Sequence, residues 1–445
     1  MKRILTCMTA LLLIAGMVFA NGTAEKATSE SNGELNGTLK IWSTLTQQER
    51  ATELERLGEK FEALHPGVDV QISVMPWSGV LDKLMAAIMA GNPPDLTVVG
   101  QGTPQTLSES GGLKELSSFI DKIGGKDSFL GTSLSVLGSS TDGGVYAVPL
   151  YITPVVAYYR ESWVKEAGIE KLPETWEEYY ELCKAVTDPS KNRYGFGIPL
   201  GEGNHAVKTI WSFLQGNGVN LVNVDAKGNW YVDIDAEDKA AMVETYNYLY
   251  KLVKDCSPSG ILSYTQANVR ELVANGTIMS RIDTPEIYYN VMKISPESID
   301  DVKYFQIPPR KTNSQYMGWV GFSVPEKGNS ELAEAFLEYC YTGDNLLDFY
   351  LSYPYAMFPT KADLFHSEKY QNGLPEVLKP MVPDMAVEIL SHSASIALAA
   401  GPFPYAGEVE QSGILTNPLM KMFTNGISAE AAVDEAIAGL NNLFR

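Results

Sequence analysis

The sequence predicts an α/β protein built as two lobes whose parts are interleaved along the chain. Three observations lead there. At 445 residues the chain is longer than one hydrophobic core usually supports. Its N-terminal part alternates extended apolar runs with helical spacing, the pattern of a mostly parallel sheet joined through helices. Two extended passages, residues 146–159 and 317–325, each run into a helix without a linker, so each reads as a crossing between packed units.

The chain opens with a secretory leader. Lys2 and Arg3 precede an apolar stretch over residues 4–18, and Val18, Phe19 and Ala20 offer a cleavage site before Asn21. That run is too short and wrongly flanked for a stable membrane span. Met17 stands where a lipoprotein processing site would need cysteine, so no lipid anchor is expected. Residues 1–20 are thus read as a cleaved signal peptide and 21–36 as a polar, flexible leader.

Residues 37–43 form a first strand. Thr46 and Glu49 have capping-box spacing, and Leu54, Leu57, Phe61 and Leu64 recur at helical intervals. Residues 68–74 are a second strand. Ser78 can cap a helix whose Val80, Leu81, Leu84 and Ile88 share a face and which Gly91 closes. Residues 96–99 are a third strand. In such sheets ligands gather beyond the carboxyl ends of the strands, which nominates the loops 43–47, 75–79 with Trp77, and 100–104 with Gln101 and Thr103.

In residues 145–159 β-branched and aromatic side chains favour extended backbone, and Pro149 and Pro154 exclude a helix. Residues 161–167 make a short helix ended by Gly168, and Thr175 with Glu178 is a capping box opening another. A strand over 194–199, a helix over 206–215 with Trp211, a hairpin over 225–233, a long helix capped by Asp235, a helix over 267–274 and a strand over 277–282 fill the second lobe. The passage 317–325 then returns to the first lobe and leads into a helix over 331–341. The tail 378–445 is helical, its last helix capped by Ser428. Lobe one is therefore assigned 37–153 plus 319–361, and lobe two 154–318 plus 362–445.

The net charge of −20 argues against nucleic acid or an acidic membrane surface as partner. Cys183, Cys256 and Cys340 leave an odd number after processing, and no disulfide is expected. His65, His205, His366 and His392 are scattered without metal-ligand spacing, and the aspartates 225, 233, 235 and 238 do not follow calcium-loop order, so no metal or other cofactor is expected. Gly201, Gly203 and Ala206 fit a loose glycine-rich dinucleotide pattern, but the preceding segment is short and holds Pro199, so it reads as a plain glycine loop. A glycosidase would need two carboxylates facing one cleft about 5–10 Å apart, which spacing along a chain does not reveal.

Aromatic and amide side chains collect at loop positions: Trp42, Trp77, Gln101, Tyr151, Trp211, Trp319, Tyr353, Tyr355, Phe403 and Tyr405. Sugar rings stack apolar faces on aromatics and need directional partners for their hydroxyls, so this mixture suits carbohydrate; the competing reading for each aromatic is core packing. Trp42 is the one expected in the core. Arg281 and Asp283, after the strand 277–282, either grip a pair of hydroxyls or pair with each other.

LKIWS, KFEALHPGVDV, AGNPPDL, YAVPLYITPVVAYYRESWVKEAGI, PETWEE, NGTIMSR, GWVGFSVPEKGNSELAEAFLEY and NGISAEAAVDEA occur in that order. In their order and spacing the chain resembles the extracellular solute-binding proteins of ATP-driven importers, in the sugar-binding, maltose-binding-protein-like family. The resemblance spans nearly all of the chain beyond its leader. It implies the two-lobe periplasmic-binding-protein fold with hinge strands, binding without catalysis, a monomer that closes on a carbohydrate, and delivery to the permease subunits of an ABC importer. By position it carries ligand contact to Ser43, Thr44, Gln101, Thr103, Tyr151, Thr153, Trp211, Arg281, Asp283, Gly318 and Trp319. Trp77, Tyr355 and Phe403 join them as aromatic candidates. Charged family positions are uncharged in the loop 43–47 and at Thr153, which implies a less acidic site. Two alternatives are carried beside the sugar reading: an acidic sugar or organic anion clamped by Arg281, and a secreted glycosidase.

Overall fold

A computed structural model describes residues 34–77, 79–138, 143–384, 393–394, 396 and 401–444. The signal peptide, most of the leader, the Ser78 cap, His392 and part of the predicted helical tail lie outside the described residues.

The first sheet has the order β12-β4-β11-β3-β1-β2, with β13 paired to β11. Its strands are β1 (Asn36–Ser43), β2 (Gly67–Val74), β3 (Leu96–Gly100), β4 (Val148–Pro154), β11 (Gln315–Ser323), β12 (Phe358–Pro359) and β13 (Ser393–Ala394). The second sheet, in the order β10-β5-β9-β6, holds β5 (Val156–Arg160), β6 (Tyr194–Gly197), β9 (Ile278–Asp283) and β10 (Val302–Phe305). β7 (Val222–Val224) and β8 (Trp230–Val232) form a separate hairpin about Gly228, a few residues N-terminal of the predicted one.

β1 lies between β2 and β3 and is parallel to both, as its helical connections predicted; Ile41 is in register with Ile72 on one side and Leu96 on the other. The helix Gln48–Leu64 buries Leu54, Leu57 and Phe61 against this sheet. Its start differs from the expected capping box. Gln47 is the cap residue and makes no side-chain cap bond, so the helix begins too late for Thr46 to cap it. The Thr175 box forms as expected: its hydroxyl accepts from the Glu178 N–H at 3.2 Å, and the Glu178 carboxylate accepts from the Thr175 N–H at 3.2 Å. Asp235 and Ser428 also cap their helices, Ala236–Cys256 and Ala429–Asn442.

The crossing predicted within 146–159 falls at Val155, which alone separates β4 in the first sheet from β5 in the second. Both strands are buried throughout. Pro154, lacking an N–H, ends the ladder and lets the chain turn toward the other sheet. On the return, β11 already belongs to the first sheet at Gln315, ahead of the expected boundary at 319; the proline-containing link 306–314 makes the turn. The helix Glu368–Gly373, assigned to lobe two from sequence, packs through Tyr370 on Tyr350 of the helix Leu347–Ser352, which rests on Gln48–Leu64 of the first lobe. Cys183, Cys256 and Cys340 are free, buried thiols.

Candidate functional site

Between the two sheets, beside β4 and β11, opens a cavity of about 950 Å³. The first lobe contributes the start of the helix Gln48–Leu64 and the loops after β2 and β3. The second contributes the starts of the helices Gly203–Gly216, Gln266–Ala274 and Glu286–Ile294, and the helix Ala406–Ser412 closes one side.

Of the sequence candidates, Trp77, Gln101, Thr103, Tyr151, Thr153, Gly318 and Trp319 line this cavity. Backbone pairing explains the grouping. Gly318 stands opposite Thr153, and Val320 opposite both Tyr151 and Gly100, so the two extended passages and the loop after β3 converge on one wall. Trp319 is 1% exposed and its indole N–H has no partner among the described residues. Gln101 is a brace: its backbone N–H donates to the Trp319 carbonyl at 3.1 Å, its side-chain oxygen accepts from the Trp319 N–H at 3.2 Å, and its Nε2 donates to Glu410 at 2.8 Å.

The other candidates lie outside the lining. Ser43 and Thr44 are turned inward, where the Thr44 hydroxyl donates to the Val98 carbonyl and Ser43 Oγ accepts from the Leu45 N–H; Thr46, Gln47 and Arg50 reach the cavity from that segment instead. Trp211 is buried on the core side of its helix, and Lys208, one turn earlier, is the residue that faces the cavity. Phe403 packs among Trp230, Tyr405 and Phe444. Tyr355 touches Tyr289 of the lining, ring centroids 6.0 Å apart, without lining it itself. Trp42, expected in the core, is only partly buried.

Arg281 and Asp283 take the second of their two readings. Arg281 Nε lies 2.7 Å from an Asp283 oxygen, with side chains 2% and 3% exposed. They belong to a buried charge cluster behind the cavity wall, and Arg281 is not among the residues that line the cavity. Arg270 grips Asp283 with two hydrogen bonds of 2.8 Å and meets Glu286 at 2.6 Å. Glu286 also receives Arg50 from the first lobe at 3.3 Å, and Arg50 Nη1 donates to the Tyr151 hydroxyl at 3.0 Å. Glu286 thus bridges an arginine from each lobe. A second link runs beside it, from the Tyr289 hydroxyl to Glu49 at 2.8 Å.

Burial, the strongest influence on these carboxyls, favours their neutral form, but the arginines outweigh it: Arg270 and Arg281 hold Asp283 well below the usual carboxylate range, and Arg270 and Arg50 lower Glu286. His205, in the cavity lining, is pushed down to about 2 by burial and by the neighbouring cations Lys208 and Arg270. Burial lowers Lys208 and raises Glu410.

The expectation of a less acidic site met a compensation it did not foresee. The loop 43–47 is uncharged, yet Asp82, Glu202, Glu286, Glu408 and Glu410 line the cavity from later elements. Arg50 could have been found from sequence. It shares the helical stripe of Leu54, Leu57 and Phe61, and a charge in a core stripe requires a buried partner. Glu286 and Glu410 leave no such mark, because their neighbours come from distant segments. Among the described residues no group of acidic, histidine or cysteine side chains could hold a metal ion, and no helix is long and apolar enough to cross a membrane.

A family model described as bacterial extracellular solute-binding protein matches residues 46–345. Putative binding proteins of Brucella are 26% identical over 288 residues, a match covering 63% of this chain and 65% of theirs. The chain therefore spans less than two thirds of those relatives' length. The diacetylchitobiose binding protein DasA of Streptomyces coelicolor is 28% identical over 298 residues, 63% of this chain and 64% of that one. Among solved structures, an ABC transporter solute-binding protein of Thermotoga lettingae bound with α-D-tagatose superposes with a TM-score of 0.75 at 19% identity, covering 92% of this chain and 100% of its own. That likeness establishes a shared two-lobe fold.

Proposed function

This chain belongs to the bacterial extracellular solute-binding protein family, and from that premise we propose that it binds a carbohydrate between its lobes outside the cytoplasm and presents it to an ABC-type importer. One observation carries the reading. The cavity between the sheets combines the aromatic faces of Trp77, Trp319, Tyr289 and Tyr353 with hydroxyls, amides and charges that can meet sugar hydroxyls in both directions. Its volume of about 950 Å³ is at the upper end of small-molecule sites, which run to about 1,000 Å³, and suits an oligosaccharide better than a single ring. The sugar ligands named for two of its relatives point the same way. Export by the signal at residues 1–20, a soluble monomer and partnership with permease subunits complete the proposal.

A binder is the reading favoured over a glycosidase, because the family is described as one of solute-binding proteins and two of the cavity's carboxylates are engaged by the protein. Glu286 is tied to two arginines, and Glu202 accepts from the Gln266 N–H at 2.8 Å, so both are committed to holding the site together. A thermal-shift screen of mono- and oligosaccharides tests the whole reading. A saccharide should raise the melting temperature by several degrees at concentrations far above its Kd. Stabilisation by amino acids or polyamines and by no saccharide would refute it. Turnover of a chromogenic glycoside, abolished by changing one cavity carboxylate, would overturn the binder assignment.

A further inference from the structure

The cavity's charges divide into those already used and those left open. Arg50 and Arg270 are joined to Glu286, and Arg270 also to Asp283. Lys208 differs: its ammonium makes no hydrogen bond or ion pair with any described residue, although the side chain lines the cavity and is half-buried. Glu410 is half used. Gln101 and Tyr316 both donate to its Oε1, at 2.8 and 2.9 Å, and Oε2 has no hydrogen-bond partner among the described residues. Neither Lys208 Nζ nor Glu410 Oε2 belongs to the fully buried unpartnered atoms, so both remain accessible. The helices that carry them, Gly203–Gly216 and Ala406–Ser412, pack against each other, and the two side chains line the same cavity with no ion pair between them.

Resting on the sugar-binding reading, we propose that Lys208 and Glu410 form a donor–acceptor gate that reads a neutral hydroxyl of the ligand and rejects sugars carrying a charge at that position. A ligand hydroxyl placed between them would accept from Lys208 Nζ while donating to Glu410 Oε2. A carboxylate there would gain Lys208 but face Glu410. An ammonium would gain Glu410 but face Lys208. Each charged group would therefore meet a like charge in a partly desolvated site, where that contact costs most. Glu410 is pinned by Gln101, itself locked to β11, and Lys208 reaches the cavity from the first half of the helix Gly203–Gly216. The neutral polyhydroxyl class is thereby favoured over the acidic sugar that the sequence left open.

The test is calorimetric titration of the wild type, Lys208→Met and Glu410→Gln with cellobiose, lactose, maltose, diacetylchitobiose and two size-matched pairs, D-galactose with D-galacturonate and D-glucose with D-glucosamine, charge being judged within each pair. Glu410→Gln keeps the shape of the side chain and Lys208→Met an unbranched one shorter by one atom, and unchanged circular dichroism and melting temperature establish that they fold. The wild type should prefer a neutral saccharide. Each variant should weaken it about ten- to a hundredfold, the loss of a hydrogen bond to a charged group. Glu410→Gln should also narrow the gap to galacturonate, and Lys208→Met the gap to glucosamine, shifts in selectivity that a purely structural role would not cause. Wild-type binding of galacturonate or glucosamine as tight as that of its neutral partner would overturn the gate while sparing the sugar reading. So would neutral affinities unchanged within about twofold in either variant, or losses with selectivity unmoved. Failure of the wild type to bind any saccharide would remove the premise, and the gate with it.

Discussion

Glu286 is the residue on which most of the site's order converges, since it joins Arg50 of the first lobe to Arg270 of the second. Removing one member of a buried charge cluster leaves the others uncompensated, which costs about 3–5 kcal/mol. Arg270→Met should therefore lower the unfolding free energy by that order in urea denaturation, because it leaves Asp283 with Arg281 alone and Glu286 with Arg50 alone, two buried carboxylates each short of a cation. Their depressed pKa values give stability that is present above the ordinary carboxylate range and is lost as pH falls through the folded-state values. His205 acts at higher pH. Its folded value of about 2 lies below the ordinary 6.5, so below 6.5 the unfolded chain takes up a proton that the folded one refuses. Stability should fall by about 1–2 kcal/mol between about pH 7 and pH 5, and His205→Gln should flatten that part of the melting-temperature profile.

At the scale of elements, local chemistry was readable wherever it depended on neighbours in sequence. The Thr175 box, the Asp235 and Ser428 caps and the parallel β2-β1-β3 core need only short-range spacing, and all form. The lining of the candidate site was legible where a backbone ladder places the residue, as at Tyr151, Thr153, Gly318 and Trp319. It was hidden where tertiary contacts decide which face of a helix looks into the cleft: Trp211 and Lys208 differ by three residues and point to opposite environments. The helix Thr103–Glu109 was not foreseen either. Gln105 makes its start by accepting from the Gly102 N–H at 3.0 Å, and Gly102 has φ +82° and abuts the Gly407 backbone. A methyl group there would lie 2.7 Å from Gly407 Cα. Gly102→Ala should cost about 2–3 kcal/mol in chemical denaturation and loosen the helix that carries Glu410.

For the molecule as a whole, the Arg50–Glu286 and Glu49–Tyr289 links show how the two lobes meet along one rim of the cavity. A sugar that touches both lobes stabilises the arrangement in which these contacts form, so small-angle scattering should record a smaller radius of gyration on saturation. An unchanged radius would mean binding to a rigid cleft. The position of β11 has a further consequence, for biogenesis. It sits between β3 and β4, so until residues 315–323 have been made the first sheet is split into β2-β1-β3 and a detached β4. Most of the polypeptide must therefore emerge before its N-terminal lobe can close. A nascent chain stalled ahead of β11 exposes unpaired edges on β3 and β4, the surface through which partly made chains pair with one another and aggregate.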